Sequence, residues 1–199
     1  DTWPSDFARE HGGGMTWQPV TYDPELNLLY LPTGNPNPVY APELRKGDNL
    51  FSCSIVAINP DTGKMVWYYQ TSPGDPYDYD ATNELVLGDL PVDGANRKVL
   101  MQANRNGFFY VLDRTNGKLL SANQFGKKVN WATGVDMKTG RPIDTPMTAS
   151  IRANVESKDF IEAWPSAFGA KNWMPMSYDP AKKRVFMNTL NIGMKVKYT

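Results

Sequence analysis

Apolar residues along this chain come in short runs, each closed by a turn that contains Asp or Asn and glycine. The run at residues 55–58 leads into Asn-Pro-Asp-Thr-Gly-Lys, and the run at 108–112 leads into Asp-Arg-Thr-Asn-Gly-Lys. A third copy of the turn, Asp-Met-Lys-Thr-Gly-Arg, occupies residues 136–141. Each copy places Asp or Asn four residues before Gly, which suits a hairpin whose Asx side chain caps the turn while glycine adopts positive φ. The pattern predicts antiparallel strands joined by hairpins.

A longer repeat links the two ends of the chain. Residues 17–31 and residues 173–187 both begin with tryptophan, continue into Tyr-Asp-Pro, and reach an apolar triplet after four more residues. Each copy is typical of a strand, an Asp-Pro turn and a second strand. In this register Asn35 falls opposite Asn191.

Repeated hairpin units at intervals of roughly 40–50 residues are typical of β-propeller blades. The chain is therefore predicted to be all-β, with one partial β-propeller domain over residues 1–199. The alternative is an ordinary β-sandwich with common turns, and the long repeat favours the propeller. The segments at 36–49 and 144–163 are predicted to be long loops, of the kind that line a site or a contact surface.

Composition narrows the chemistry that this chain can perform. Its 21 basic and 21 acidic residues cancel, which argues against a nucleic-acid partner, and the lack of a run of ~18 apolar residues argues against a transmembrane span. Cys53 is the only cysteine and His11 the only histidine, so zinc, iron–sulfur, covalent haem and histidine-based triads are disfavoured. Any metal ion must take oxygen ligands, which favours calcium or a harder cation.

Five short motifs follow one another in an order and spacing that carry a specific resemblance. They are Gly-Gly-Gly-Met-Thr-Trp at 12–17, Thr-Gly-Asn-Pro at 33–36, Tyr-Asp-Tyr-Asp at 77–80, Asn-Arg-Asn-Gly at 104–107 and Leu-Asp-Arg at 112–114. In these motifs the chain resembles the methanol and ethanol dehydrogenase branch of the quinoprotein alcohol dehydrogenases, which carry pyrroloquinoline quinone (PQQ) and a metal ion. The resemblance implies an eight-bladed propeller of which this chain, as a fragment, would hold about three to four blades. Ala57, Gly63 and Trp67 also match the blade-docking pattern of that family.

The resemblance implies a metal and catalytic centre. Asp78 matches the catalytic aspartate, a general base that takes the alcohol's hydroxyl proton and that also contacts the metal. Asn35 matches a metal ligand through its carboxamide oxygen, and Asp80 matches an extra carboxylate found in lanthanide-binding members. The ion is therefore expected to be calcium or a lanthanide. Two carboxylates two residues apart on a strand would face the same side and reach one ion.

The resemblance also implies the residues that hold the quinone. Trp17 matches the tryptophan that forms the floor under the cofactor. Arg105 matches the arginine that hydrogen-bonds the quinone oxygens, where a fixed positive charge suits the anionic reduced form. Thr16 is expected to contact a cofactor carboxylate, because Met15 occupies the position of the family threonine. Asn191 is expected to be a further quinone contact, from its register with Asn35.

Together these residues imply a periplasmic PQQ-dependent alcohol dehydrogenase that oxidises a small alcohol to an aldehyde and passes electrons to a cytochrome c-type acceptor. A close variant acts on polyols or sugars. The alternatives are a non-catalytic propeller scaffold, such as the lipoprotein that serves outer-membrane protein assembly, and a degenerate enzyme without the cofactor. The remainder of the propeller is expected from further blades or from a homo-oligomer. The enzyme is favoured over the scaffold by the joint presence of Trp17, Asn35, Asp78, Asp80 and Arg105.

Overall fold

The computed structural model describes residues 2–153 and 156–198, and its regular structure is almost entirely β. The strands are β1 (Thr21–Asp23), β2 (Leu28–Pro32), β3 (Ser54–Ile58), β4 (Met65–Gln70), β5 (Val86–Val92), β6 (Ala95–Ala103), β7 (Phe108–Asp113), β8 (Leu119–Gln124), β9 (Ala132–Val135), β10 (Pro142–Asp144), β11 (Ile161–Ala163), β12 (Ser177–Asp179), β13 (Arg184–Phe186) and β14 (Met194–Val196). The helical elements are α1 (Asp6–Glu10), α2 (Pro146–Arg152) and a 3₁₀ helix (Pro42–Arg45). In these two described ranges, no helix has the length and apolar character needed to cross a membrane.

Two antiparallel sheets of four strands each form complete propeller blades. Strands β1 to β4 lie side by side in chain order in the first blade, and β5 to β8 do the same in the second. Three strand pairs, β9 with β10, β12 with β13 and β11 with β14, contribute pieces of further blades. This architecture confirms the predicted all-β class and the partial propeller. The strand pairs β1–β2 and β12–β13 also confirm the two hairpins of the long repeat.

The Asx turns close three of the hairpins, as the sequence pattern predicts. Asn59 Oδ1 accepts the main-chain N–H groups two and three residues ahead of it, and Gly63 has a φ of +66°. In the copies at 113–117 and 136–140 the Asp Oδ1 accepts the main-chain N–H two residues ahead, and the glycine φ values are +76° and +72°. Local side-chain chemistry therefore sets these strand connections.

The two complete blades dock through Trp67 of the first blade and the β7–β8 turn of the second. The Trp67 indole N–H donates to the carbonyl of Arg114 at 3.2 Å, and Tyr30 donates to the same carbonyl at 3.0 Å. The indole packs on Gly117, where a Cβ would lie 2.6 Å from the ring, so only glycine leaves room for it. Gly63, in the first blade's own turn, has no described atom within 4 Å of the corresponding position. The docking glycine for Trp67 thus belongs to the neighbouring blade.

One of the two predicted loops is partly helical. Residues 144–163 contain α2, so that part of the loop prediction is wrong. The helix begins because the Thr145 side chain accepts a first-turn N–H and Pro146 occupies the first turn, where its missing N–H has no cost. The other predicted loop, 36–49, is described in full by the structure and contains one 3₁₀ turn, at Pro42–Arg45.

Candidate functional site

The Tyr-Asp-Tyr-Asp motif lies between the two complete blades, in the connection from β4 to β5. Tyr77 and Tyr79 are fully buried, with their ring centroids 5.2 Å apart and both rings packed near Trp131. Asp78 and Asp80 instead contact the guanidinium of Arg105. The segment is not a strand, so the predicted strand geometry is wrong. An irregular connection nevertheless brings both carboxylates to one arginine.

Asp78 has a left-handed backbone conformation, with a φ of +70°. This conformation costs a non-glycine residue on the order of 1 kcal/mol, and such strained residues cluster at functional sites. The side chain is 30% exposed, and its carboxylate lies 3.8 Å from Arg105 Nη1, the one ion-pair partner that the described residues offer it. A strained carboxylate whose negative charge is balanced by one ion pair at 3.8 Å is available to bind a cation or to accept a proton.

Arg105 stands at the tip of the β6–β7 hairpin, where the Asn-Arg-Asn-Gly motif forms the turn. The two asparagines of the motif each accept a main-chain N–H two residues ahead, at 3.0 and 3.1 Å, which holds the tip in place. Nη1 of Arg105 lies 3.2 Å from Asp80 Oδ2, and it donates to the carbonyls of Asp78 and Ala167 at 3.1 Å each. Because every hydrogen bond and ion pair that the Arg105 guanidinium makes with described residues uses Nη1, Nε and Nη2 remain for another acceptor.

Asp80 is 4% exposed, and both of its oxygens are engaged. Oδ1 accepts the Asn35 main-chain N–H at 2.7 Å, while Oδ2 faces Arg105. A Cβ at Gly34 would lie 2.9 Å from Asp80 Oδ1, so glycine permits this approach. Asn35 Nδ2 donates to the carbonyl of Pro36, which leaves the amide oxygen of Asn35 as an acceptor on a residue whose main-chain N–H already binds Asp80.

Burial and mutual repulsion shape the acidity of the two carboxyls. Burial first, and then the negative charge of Asp80, raise the pKa of Asp78 to about 7, while Arg105 opposes the rise. Burial also raises the pKa of Asp80, against the lowering effects of Arg105 and of the Asn35 N–H. Two neighbouring carboxyls with raised pKa values form an oxygen-rich centre that an added cation would stabilise.

A cavity of about 510 Å³ opens beside these groups, a size typical of small-molecule sites. It is lined by Asp78, Arg105, Ala167, Phe168, Asn172, Trp173, Met174 and Leu190. Trp17 borders it, because its ring meets Trp173 edge-on at 5.6 Å and lies 5.7 Å from the guanidinium carbon of Arg105. The cavity therefore combines charged groups with a mostly apolar, aromatic wall.

The structure connects five of the predicted site residues through these contacts: Asp78, Asp80, Arg105, Asn35 and Trp17. Thr16 is half-buried next to Trp17 in the chain, and Asn191 is exposed beside the cavity-lining Leu190. No hydrogen bond or ion pair among the described residues joins Thr16 or Asn191 to the carboxylate pair. Their cofactor contacts stay predictions, as do the roles assigned to the other five.

Sequence reasoning missed the wall of the cavity. Phe168 and Trp173 are 64% and 62% exposed, and Met174 is 42% exposed. Trp173 is the counterpart of Trp17 in the long repeat, so the repeat held the signal that places it at the site. No motif pointed to Asn172, which also lines the cavity.

Comparison with known proteins shows which family this chain belongs to. The family model described as "Glucose/ethanol/alcohol dehydrogenase, beta-propeller domain" (PQQ) matches residues 1–124. The curated quinohemoprotein alcohol dehydrogenase ADH IIB of Pseudomonas putida is 52% identical over 190 residues, which cover 94% of this chain and 26% of that protein.

Solved structures show the same likeness. The quinohemoprotein alcohol dehydrogenase ADHIIG of Pseudomonas putida HK5 superposes with a TM-score of 0.86 at 48% identity, over 94% of this chain and 27% of that one. A europium-containing methanol dehydrogenase superposes with a TM-score of 0.83 at 39% identity, over 94% of this chain and 32% of that one. This chain spans about a quarter to a third of the length of these relatives. By its matched sequence and its blades, the chain belongs to the quinoprotein family of PQQ glucose/ethanol/alcohol dehydrogenase β-propeller domains.

Proposed function

We propose that this chain forms a quinone- and metal-binding part of a PQQ-dependent alcohol dehydrogenase. The observation that carries the proposal is the convergence of Asp78, Asp80 and Arg105, from two separate connections of the propeller, at one cavity. The names of the relatives, quinohemoprotein alcohol dehydrogenase and europium-containing methanol dehydrogenase, support it. A non-catalytic scaffold has no need of a strained, poorly neutralised acid at a cavity.

The donors at this site fit a hard cation. Asp78 and Asp80 offer carboxylate oxygens and Asn35 an amide oxygen, the ligand types that calcium and the lanthanides prefer. These side chains supply only part of the roughly six to eight ligands that such ions take, and the rest would come from the cofactor and from other residues. Asp80 would bind the ion only by sharing the oxygen that now faces Arg105. This extra carboxylate would stabilise a trivalent ion more than a divalent one.

The cavity fits a planar, anionic cofactor. The aromatic rings of Trp17 and Trp173 offer apolar surface for a flat ligand. Nε and Nη2 of Arg105, which make no hydrogen bond to the described residues, suit its oxygens. When bound, PQQ supplies a two-electron acceptor and the metal ion supplies a Lewis acid for its carbonyl group.

Asp78 is the residue suited to remove the proton from the alcohol hydroxyl. Its pKa of about 7 lies near neutral pH, which is favourable for a general base, and its carboxylate lines the cavity in which the substrate would bind. Arg105 would stabilise the negative charge that develops during the reaction. The side chains of Phe168 and Leu190 line the cavity and would give the substrate an apolar contact surface.

We extend the proposal to the cellular context of the complete protein. Relatives named quinohemoprotein support a haem group, in a cytochrome c-type acceptor, as the destination of the electrons. That haem would be attached elsewhere, because Cys53 is buried and is the only cysteine of this chain. We propose a periplasmic location. A polyol or sugar substrate is the second candidate, favoured by the mention of glucose in the description of the family model.

The test is turnover by the complete protein, reconstituted with PQQ and either calcium or lanthanum. Asp78→Asn is expected to lower kcat by roughly 1,000-fold and to retain the quinone, which is detected by its absorbance. Asp93→Asn is the matched control, because Asp93 also has a positive φ, of +50°, but lies exposed in the β5–β6 turn. Near-wild-type turnover by Asp78→Asn would refute the general-base role. Failure of the unmodified protein to bind PQQ would refute the proposed function.

A further inference from the structure

A buried carboxylate just before the Tyr-Asp-Tyr-Asp motif binds the backbone on both sides of Asp78. Asp75 is 1% exposed, and each of its oxygens accepts a different main-chain N–H. Oδ1 accepts the Tyr77 N–H at 3.1 Å, and Oδ2 accepts the Tyr79 N–H at 2.7 Å. The residue between these two amides is Asp78.

The two bonds restrain a residue that little else restrains. Asp78 has the left-handed φ of +70°, and its carboxylate makes a single 3.8 Å contact, with Arg105, among the described residues. Its carbonyl accepts from Arg105 Nη1 at 3.1 Å, which fixes the peptide bond after it. The side chain of Asp78 therefore does not hold its own backbone, and the bonds from Asp75 supply that restraint.

Asp75 and its two partners are themselves fixed in the core. Arg45, which is 1% exposed, donates from Nη2 to the carbonyl of Asp75 at 2.6 Å. The hydroxyls of Tyr77 and Tyr79 make buried hydrogen bonds of 2.8 and 2.6 Å at the far ends of their rings. The Asp75 carboxylate thus connects a rigid base to the backbone of Asp78.

We propose that Asp75 is a positioning residue that keeps Asp78 in its left-handed conformation and so directs the Asp78 carboxylate toward the metal and the substrate. Asp75 does not line the cavity, and it acts through Asp78. What Asp78 does there rests on the proposed function, whereas the conformational part of the inference rests on the hydrogen bonds alone.

The perturbation is Asp75→Asn in the complete protein. An amide keeps the shape of the carboxylate but turns one acceptor oxygen into a donor, so one of the two N–H bonds is lost. Asp23→Asn is the matched control. Asp23 is also 1% exposed and also accepts two main-chain N–H groups, from Glu25 and Leu26, at the opposite end of β2 from Asn35. Both of these bonds go to Oδ1, and Oδ2 pairs with Arg114 at 2.8 Å, so this control loses a charge pair as well.

The first readout is the affinity of the metal-free protein for terbium(III), followed by luminescence, and the second is the φ of Asp78 in a crystal structure of each variant. Asp75→Asn is expected to weaken terbium binding by roughly 10-fold, while Asp23→Asn stays within about twofold of wild type even where it loses stability. Asp78 is expected to leave the left-handed region in Asp75→Asn alone.

Wild-type terbium affinity in Asp75→Asn, or an equal loss in both variants, would overturn the positioning role. If Asp75→Asn does not fold, Asp75→Ser takes its place, because a serine hydroxyl still caps the Tyr77 amide. Weaker terbium binding by Asp75→Ser than by the wild type then supports the positioning role, and unchanged terbium affinity refutes it. If the wild-type protein binds no terbium, the proposed function fails and the crystal structures decide alone. A left-handed Asp78 in the variant then refutes the positioning role, and a displaced one supports it.

Discussion

Replacing Gly169 by alanine places a methyl group directly against Arg105. A Cβ at this position would lie 2.7 Å from Arg105 Cγ, 2.8 Å from Arg105 Cα and 2.7 Å from the Lys171 carbonyl oxygen. The φ of Gly169 is +77°, so alanine also meets a left-handed backbone penalty of about 1 kcal/mol. Overpacking against backbone atoms, which cannot rotate away, adds about 2 kcal/mol. The free energy of unfolding should therefore fall by about 3 kcal/mol in total.

Gly94 separates the two contributions. Its φ is +76°, almost that of Gly169, yet a Cβ there meets no described atom within 4 Å. Gly94→Ala should therefore cost only the backbone penalty of about 1 kcal/mol. Urea denaturation of the complete protein gives both free energies of unfolding. Gly169→Ala should also weaken PQQ binding by roughly 10-fold, because it displaces a charged hydrogen-bond donor, and Gly94→Ala should not. Equal destabilisation by the two variants, with unchanged PQQ affinity, would refute the packing argument.

Three further predictions concern blade docking, a buried ion pair and metal binding. Trp67→Ala should lower the free energy of unfolding by about 4 kcal/mol. Trp67→Phe loses the bond to the Arg114 carbonyl and part of the indole volume but keeps an aromatic ring, so it should cost about 2 kcal/mol; equal losses in urea denaturation would contradict the docking model. Lys171 is fully buried and pairs with Glu84 at 2.9 Å, so Lys171→Met, which leaves the Glu84 carboxylate unpaired, should lower the free energy of unfolding by about 2 kcal/mol. The double variant Lys171→Met/Glu84→Gln should lose less; a double variant less stable than the single one would contradict this. Because a cation must displace the proton of Asp78, whose pKa is about 7, calcium affinity should rise with pH below 7 and level off above it; a flat profile from pH 5 to 8, measured by calorimetry, would contradict this ligand role.

The blade turns were predictable because their chemistry is local. An Asx side chain that caps its own turn, as Asn59 does, and a glycine four residues later need no information from the rest of the fold. The start of α2 carried a local signal as well, Thr145 followed by proline, which the loop prediction overlooked. The β11–β14 pairing was out of reach, because its register joins Ile161 to the distant Val196 through tertiary packing.

The candidate site also combines features that were predictable from the sequence with features that were not. The resemblance to the quinoprotein alcohol dehydrogenases predicted Asp78, Asp80 and Arg105 as site residues, and the structure brings these three side chains together. The left-handed backbone of Asp78 depends on how the connection packs against the core, which no local pattern encodes. The bonds from Asp75 are local, since they reach N–H groups only two and four residues ahead, but no repeated motif marked them. Phe168 lies on irregular chain without periodic spacing, so, unlike Trp173 in the long repeat, it carried no sequence signal for its place in the cavity wall.

The most direct test of the central claim is a crystal structure of the complete protein with PQQ and europium(III), read by anomalous scattering. We expect one europium ion within about 2.3–2.6 Å of oxygens from Asp78 and Asp80, and the quinone in the adjoining cavity within hydrogen-bond reach of Arg105. Europium and quinone bound elsewhere, with both carboxylates still facing Arg105 as they do now, would contradict the assignment of this cavity as the active site.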